Sequence, residues 1–168
     1  MALIACVALC LSVVVGGTVA YLFANSNSVE NTFTPSRVAC EVIPGAGDTY
    51  KVKNTGDTAA FVRVAVVATW EKDGMIYVQK PDVKITLGNA WVPGTDGYYY
   101  YESKIPVGAS TEDMIVKLAT NAVQPEGYTL SVEVVASAVQ PTNDAVLAWS
   151  NNIASTDGNS LTVTQRTP

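Results

Sequence analysis

The sequence predicts an all-β fold, a jelly-roll-like β-sandwich preceded by an apolar leader and carrying one or two short helices. Three observations lead there. Short runs rich in β-branched residues alternate apolar and polar side chains with a period of two. Each run is closed by a cluster of Gly, Pro, Asn or Asp. No long helical pattern separates them, which favours a sandwich or jelly roll over alternating strand–helix units.

The first element is the leader. No charged side chain occurs before Glu30, and residues 2–15 are almost unbroken Ala, Val, Leu, Ile and Cys. An apolar run of about 14 residues that decays into small ones reads as the h-region and cleavage region of a secretory signal. Thr18-Val19-Ala20 supplies the small-x-small ending. The cut therefore falls after Ala20 and leaves Tyr21 first, with a signal peptidase as partner. The Lys or Arg expected ahead of such a run is missing. Three other readings stand beside this one. A retained anchor needs roughly 20 apolar residues, which 2–24 just reach. Leu3-Ile4-Ala5-Cys6 has the form of a lipidation site, but no apolar run precedes it. A buried core helix is disfavoured because no turn of the segment has a polar face. A cut after Ala20 makes the rest an exported protein, placed in the extracellular matrix or on the cell surface.

Residues 21–38 form an arm. It has no Gly or Pro before Pro35, and one strand face carries Tyr21, Phe23, Val29 and Phe33, interrupted by Asn25, Asn27 and Asn31. The sandwich is expected over 39–150. Val38 to Ile43 ends at the turn cluster 44–48. Tyr50-Lys51-Val52-Lys53 alternates as a half-solvated strand and turns at Asn54-Thr55-Gly56-Asp57. Residues 59–70 make the longest β-branched run, a central strand with Val62, Val64, Val66 and Ala68 on one face and Arg63 marking a face that meets water. Asp73-Gly74 signals a hairpin into Met75-Ile76-Tyr77-Val78. Residues 83–87 alternate with Lys84 and Thr86 outward. After Trp91 and the long turn 93–97 come Tyr98, Tyr99, Tyr100 and Tyr101, of which two are expected buried and two exposed. Residues 114–118 and 128–139 are further strands. Thr142-Asn143-Asp144 has the form of a helix N-terminus before Trp149. The remainder, 151–168, reads as a polar tail with an edge strand at 161–164.

Composition narrows the function. The formal charge of −5 argues against nucleic-acid binding, which needs a basic face. Cys6 and Cys10 fall in the leader, so Cys40 is alone in the exported chain, read as a small buried apolar residue or as a thiol for pairing with another chain. There is no histidine, which removes Ser-His-Asp and Cys-His catalysis and the zincin helix motif. Asp73-Gly74 and Asp96-Gly97 lack the spacing of a calcium loop and read as turns. Asp82, Glu112 and Asp113 are the carboxylates available to a hydrolase, but nothing in the sequence brings two together across a cleft. The expectation is a protein without catalysis and without a cofactor.

Several stretches together resemble the TasA/camelysin family of Gram-positive biofilm-matrix and surface proteins. They are Gly16-Gly17-Thr18-Val19-Ala20-Tyr21-Leu22-Phe23, then Asn31-Thr32-Phe33-Thr34, then Val52-Lys53-Asn54-Thr55-Gly56-Asp57, Tyr128-Thr129-Leu130-Ser131-Val132, and Ala138-Val139-Gln140 ahead of Ala148-Trp149. The resemblance implies a jelly roll, a cut after Ala20 by a dedicated signal peptidase, and polymerisation by donor-strand exchange with other copies of the chain, alongside other matrix or cell-wall components. The physics stands beside it: a free sheet edge can be completed by an extended segment from a neighbour, and such a head-to-tail contact does not close, so it builds a fibre. The alternative for the arm is an ordinary first strand of its own domain. Two further functions stay open: a monomeric adhesin using Tyr98, Tyr99, Tyr100 and Tyr101 as a surface-binding strip, and a metallopeptidase, the activity some relatives carry as a label.

Overall fold

The computed structural model describes residues 36–164. The leader, the cut at Thr18, Ala20 and Tyr21, and the donor face of Tyr21, Phe23, Val29 and Phe33 lie outside the described residues. In chain order the elements are β1 (Cys40–Gly45), β2 (Thr49–Asn54), β3 (Phe61–Lys72), β4 (Met75–Ile76), β5 (Val83–Leu87), β6 (Trp91–Pro93), β7 (Tyr99–Tyr101), β8 (Met114–Leu118), β9 (Thr129–Val139), α1 (Asn143–Trp149), β10 (Ile153–Thr156) and β11 (Leu161–Val163). The all-β expectation holds, with one short helix.

The strands form two antiparallel sheets and a hairpin. The smaller sheet has the order β1-β2-β8-β5. The larger is built on β3, which pairs with β9 along one flank and with β7 and β4 along the other, β6 lying beyond β7. Period-two patterning decides the core. Val62 and Val64 of β3 point inward with Val52, Met114 and Val116 of the smaller sheet, joined by Trp91 and Ile105, and all seven are buried. Lys84 and Thr86 are outward and exposed, as expected.

Two turns show why the sequence folds this way. Asp73 and Gly74 both adopt positive φ (51° and 78°), the type I′ geometry that matches strand twist in a two-residue hairpin. Gly56 is required for a different reason. A Cβ there would lie 2.4 Å from the Arg37 carbonyl oxygen, because its N–H approaches the Ala39 carbonyl at 3.1 Å. Beside it the fully buried Asn54 is saturated: Nδ2 donates to the carbonyls of Thr58 (2.8 Å) and Ile105 (3.0 Å), and Oδ1 accepts from the Gly56 N–H (2.9 Å).

Three expectations are corrected. The face of β3 that carries Arg63 does not meet water at its start. Phe61 is fully buried there in a second cluster with Val92, Tyr100, Val146, Ile153, Leu161 and Val163, beneath α1 and the β10–β11 hairpin. The stretch after residue 150 is accordingly no loose tail: Ile153, Leu161 and Val163 anchor it, and the folded unit runs past residue 150 through the hairpin. Polar composition concealed this, because one buried apolar residue in β10 and two at alternating positions in β11 are enough to seat a short hairpin. The strand expected over 75–78 stops at Ile76, and Val78 is 90% exposed. At α1, Thr142 occupies the N-cap position in extended conformation without a side-chain cap bond.

Candidate functional site

Strand edges, not side-chain chemistry, dominate the unused surface. On β3 the Trp70 carbonyl accepts from the Tyr77 N–H (2.9 Å), and Ala60 just before it exchanges both backbone bonds with Ile105 (3.0 and 2.8 Å). Even-numbered residues of β3 thus aim their backbone groups away from β9, and odd-numbered ones toward it. The β9 flank is paired without a break, from Phe61 opposite Val139 to Glu71 opposite Thr129. The other flank is paired only at its ends. β7 covers Arg63 and Val64, β4 covers Glu71 and Lys72, and no described strand pairs with 65–69 on that side. The N–H and C=O groups of Val66 and Ala68 point into this gap and have no backbone partner among the described residues.

The gap opens onto a groove of about 400 Å³ lined by Val66, Ala68, Tyr77, Pro81 and Val83 among others, with Lys80 as its only charged residue. Its rim holds apolar side chains left in solvent: Val67 at 48%, Ile76 at 67% and Val78 at 90% exposure. Unpaired backbone beside exposed apolar surface is the combination that accepts an added strand.

The remaining edges differ in how they are guarded. β5 is short and carries Lys84 directly opposite Lys117, a like-charge pair that resists a further strand. β6 is three residues long and ends in Pro93. β9 has neither Lys nor Pro, and the outward groups of Leu130, Val132, Val134, Ala136 and Ala138 have no described partner, but β1 runs alongside it without hydrogen bonding. Cys40 lies in that β1, half-buried, and burial pushes its thiol up from its ordinary value.

The four tyrosines do not form an exposed strip. Tyr100 is fully buried, and Tyr98, Tyr99 and Tyr101 are half-buried. Tyr99 and Tyr101 pack on the central core, the latter edge-on to Trp91 with centroids 5.2 Å apart. Tyr98 and Trp149 sandwich the Arg63 guanidinium at 4.2 and 4.6 Å. Alternation still sets which way each ring points; the covering hairpin, unseen in the pattern, hides the outer face.

Tyr100 Oη bonds Asp96 Oδ2 (2.5 Å) and Ser150 Oγ (2.6 Å), and Arg63 donates to Tyr100 Oη (3.3 Å) and to the Trp149 carbonyl (3.2 Å). Partial burial pushes the Asp96 carboxyl up, but hydrogen bonds from Tyr100, the Tyr98 N–H and Ser150 outweigh it and hold it below its ordinary value. Burial, then the Asp96 hydrogen bond, raises the Tyr100 phenol. This network fastens β7 and the hairpin to β3.

The carboxylates considered for hydrolysis are otherwise engaged or apart. Asp113 pairs with Lys51 at 3.5 Å, Glu112 accepts from the Asn89 N–H at 2.6 Å, and Asp82 is exposed. Among the described residues no group of three His, Cys, Asp or Glu side chains is placed to hold a metal ion, and no helix is long and apolar enough to cross a membrane.

Backbone groups carry this site, so no residue type in the sequence marked it; the one available signal was the exposed apolar run at Ile76 and Val78. No protein-family model, no curated protein and no solved structure matches the chain.

Proposed function

We propose that this chain is a secreted structural subunit that polymerises into extracellular fibres by lending its N-terminal arm to a neighbouring copy. The reading rests on one observation above the rest: among the described residues, the outward backbone groups of Val66 and Ala68 in the central strand of the larger sheet have no partner, beside an open, mainly apolar groove. A middle strand with no described neighbour along part of one flank has a place for an added strand. The arm supplies a sequence free of Gly and Pro before Pro35, and the likeness of 16–23 and 31–34 to the TasA/camelysin family supports export, a cut after Ala20 and a matrix role. The adhesin reading loses its main support, since the tyrosines it needs are turned into the protein. The metallopeptidase reading has no histidine to use.

Protein beginning at Tyr21 is expected to form filaments above a threshold concentration, seen by electron microscopy and sedimentation. Deleting 21–33 is expected to abolish them and leave a folded monomer. Filaments that persist after the deletion would overturn the proposal.

A further inference from the structure

We infer that the outer face of the smaller sheet binds a linear acidic polysaccharide, a role that goes beyond fibre formation and does not depend on it. Strand register builds the surface. Gly45 of β1 lies opposite Thr49 of β2, Thr49 opposite Ile115 of β8, and Ile115 opposite Thr86 of β5. One row of uncharged residues thus crosses all four strands. Alternation turns that row outward, because Tyr50, Met114, Val116 and Ile85 beside it pack on the core. Two residues along the strands on one side stands a bank of Lys84 opposite Lys117. Two residues along on the other side stands Lys51, opposite Ile43 and ion-paired to Asp113 at 3.5 Å. The banks are about 14 Å apart, and the floor between them runs roughly 14 Å from β1 to β5.

The floor is open along this length. Two hollows of about 560 and 300 Å³ share Lys51 and Asp113; the first is lined by Thr86, Gly88 and Ile115, the second by Ile43, Gly45 and Thr49. Glycine keeps both ends bare. A Cβ at Gly88 would lie 2.6 Å from Glu112 Oε2, and one at Gly45 would lie 2.5 Å from Thr49 Oγ1.

Charge selects the occupant. Strands β1, β2, β5 and β8 carry four lysines, Lys51, Lys53, Lys84 and Lys117, against one carboxylate, Glu41, in a chain of net charge −5. Lys84 and Lys117 face each other with no ion pair among the described residues. Like charges directly opposite destabilise a sheet, and an anion placed between them removes the repulsion. The first hollow adds acceptors: Glu112 and Asp113 line it beside Lys51. A carboxylate accepts hydrogen bonds from sugar hydroxyls and repels a dense phosphate backbone. Neither hollow is lined by an aromatic side chain among the described residues, so neither has a platform on which bases would stack. A chain that offers both acidic groups and hydroxyls meets these requirements, and an acidic glycan is such a chain.

Calorimetric titration of the full chain with polygalacturonate tests this, with dextran as the neutral glycan and single-stranded DNA as the other polyanion. Polygalacturonate is expected to bind, more weakly as salt rises; dextran is not expected to bind, and DNA is expected to bind less tightly. Lys84→Gln together with Lys117→Gln is expected to weaken polygalacturonate about tenfold, the effect of two exposed ion pairs, without lowering the thermal unfolding temperature. Lys72→Gln together with Lys104→Gln removes the same charge away from this face and is expected to leave binding within about twofold. No binding of polygalacturonate, or tighter binding of DNA, would overturn the inference. Equal losses from the two pairs of substitutions would overturn it as well, by reducing the attraction to overall charge. Each of these results leaves the fibre reading where it stands, since filament formation is a separate readout.

Discussion

The two flanks of β3 are built in opposite ways. Toward β9 the strand is paired from Phe61 to Glu71 without a bulge, and the odd-numbered residues have every backbone group used. Toward β7 and β4 the same strand is held at its two ends and, among the described residues, has no partner in its middle, where Val66 and Ala68 line the groove. Sequence does not separate the flanks, since both read the same β-branched residues. What separates them is the neighbour. On one side an 11-residue strand matches β3 in length; on the other, β4 leaves the lane after two residues and β7 enters it too late. A strand's completeness is thus a property of its neighbours' lengths, and an incomplete flank in mid-sheet is a more selective acceptor than an outer edge, because its ends are closed.

The comparison can be broken with proline. Val67→Pro removes an N–H bonded to β9 and is expected to cost more than about 3 kcal/mol in denaturant unfolding. Ala68→Pro removes an N–H that points into the gap, and is expected to cost about 1 kcal/mol less, the worth of one ladder bond. Equal costs would mean the gap is not there. The ends of the gap are the next targets. Tyr100→Phe strips the bonds to Asp96 and Ser150 that pin β7, and is expected to cost about 1–3 kcal/mol. Gly74→Ala forces a side chain into positive φ at the β4 hairpin and is expected to cost about 1–2 kcal/mol.

Acid acts on the same β7 fastening. Asp96 has a folded value below its unfolded one, so its stabilising contribution is present above the ordinary carboxylate value of about 3.9 and is lost as pH falls through the lowered folded value. Thermal unfolding of Asp96→Asn below pH 4 is expected to show a flatter acid limb than the unsubstituted protein. The smallest expected effect is Ile76→Asp. At 67% exposure it should leave monomer stability within about 0.5 kcal/mol while weakening assembly.

Periodicity made much of this legible in advance. The alternation of Val62 and Val64, the Asp73-Gly74 hairpin and the outward Lys84 all follow from the pattern of two, because one buried face fixes which side chains turn inward. The pattern failed where a second layer covers the outer face. Arg63 and two of the four tyrosines looked solvated because nothing in their own strands announces that Ile153, Leu161 and Val163, ninety to a hundred residues from Arg63 in sequence, will close over them. The gap beside Val66 and Ala68 was illegible for a deeper reason: it is made of peptide groups, which every residue has, and of the absence of a neighbour among the described strands.

Amide hydrogen exchange, residue by residue, is the measurement closest to the claim. In the monomer the Val66 and Ala68 amides are expected to exchange quickly while Val67 and Thr69, bonded to β9, stay protected; in filaments all four are expected to be protected. Slow exchange at Val66 and Ala68 in the monomer, or exchange at those two that stays fast once filaments have formed, would contradict the account.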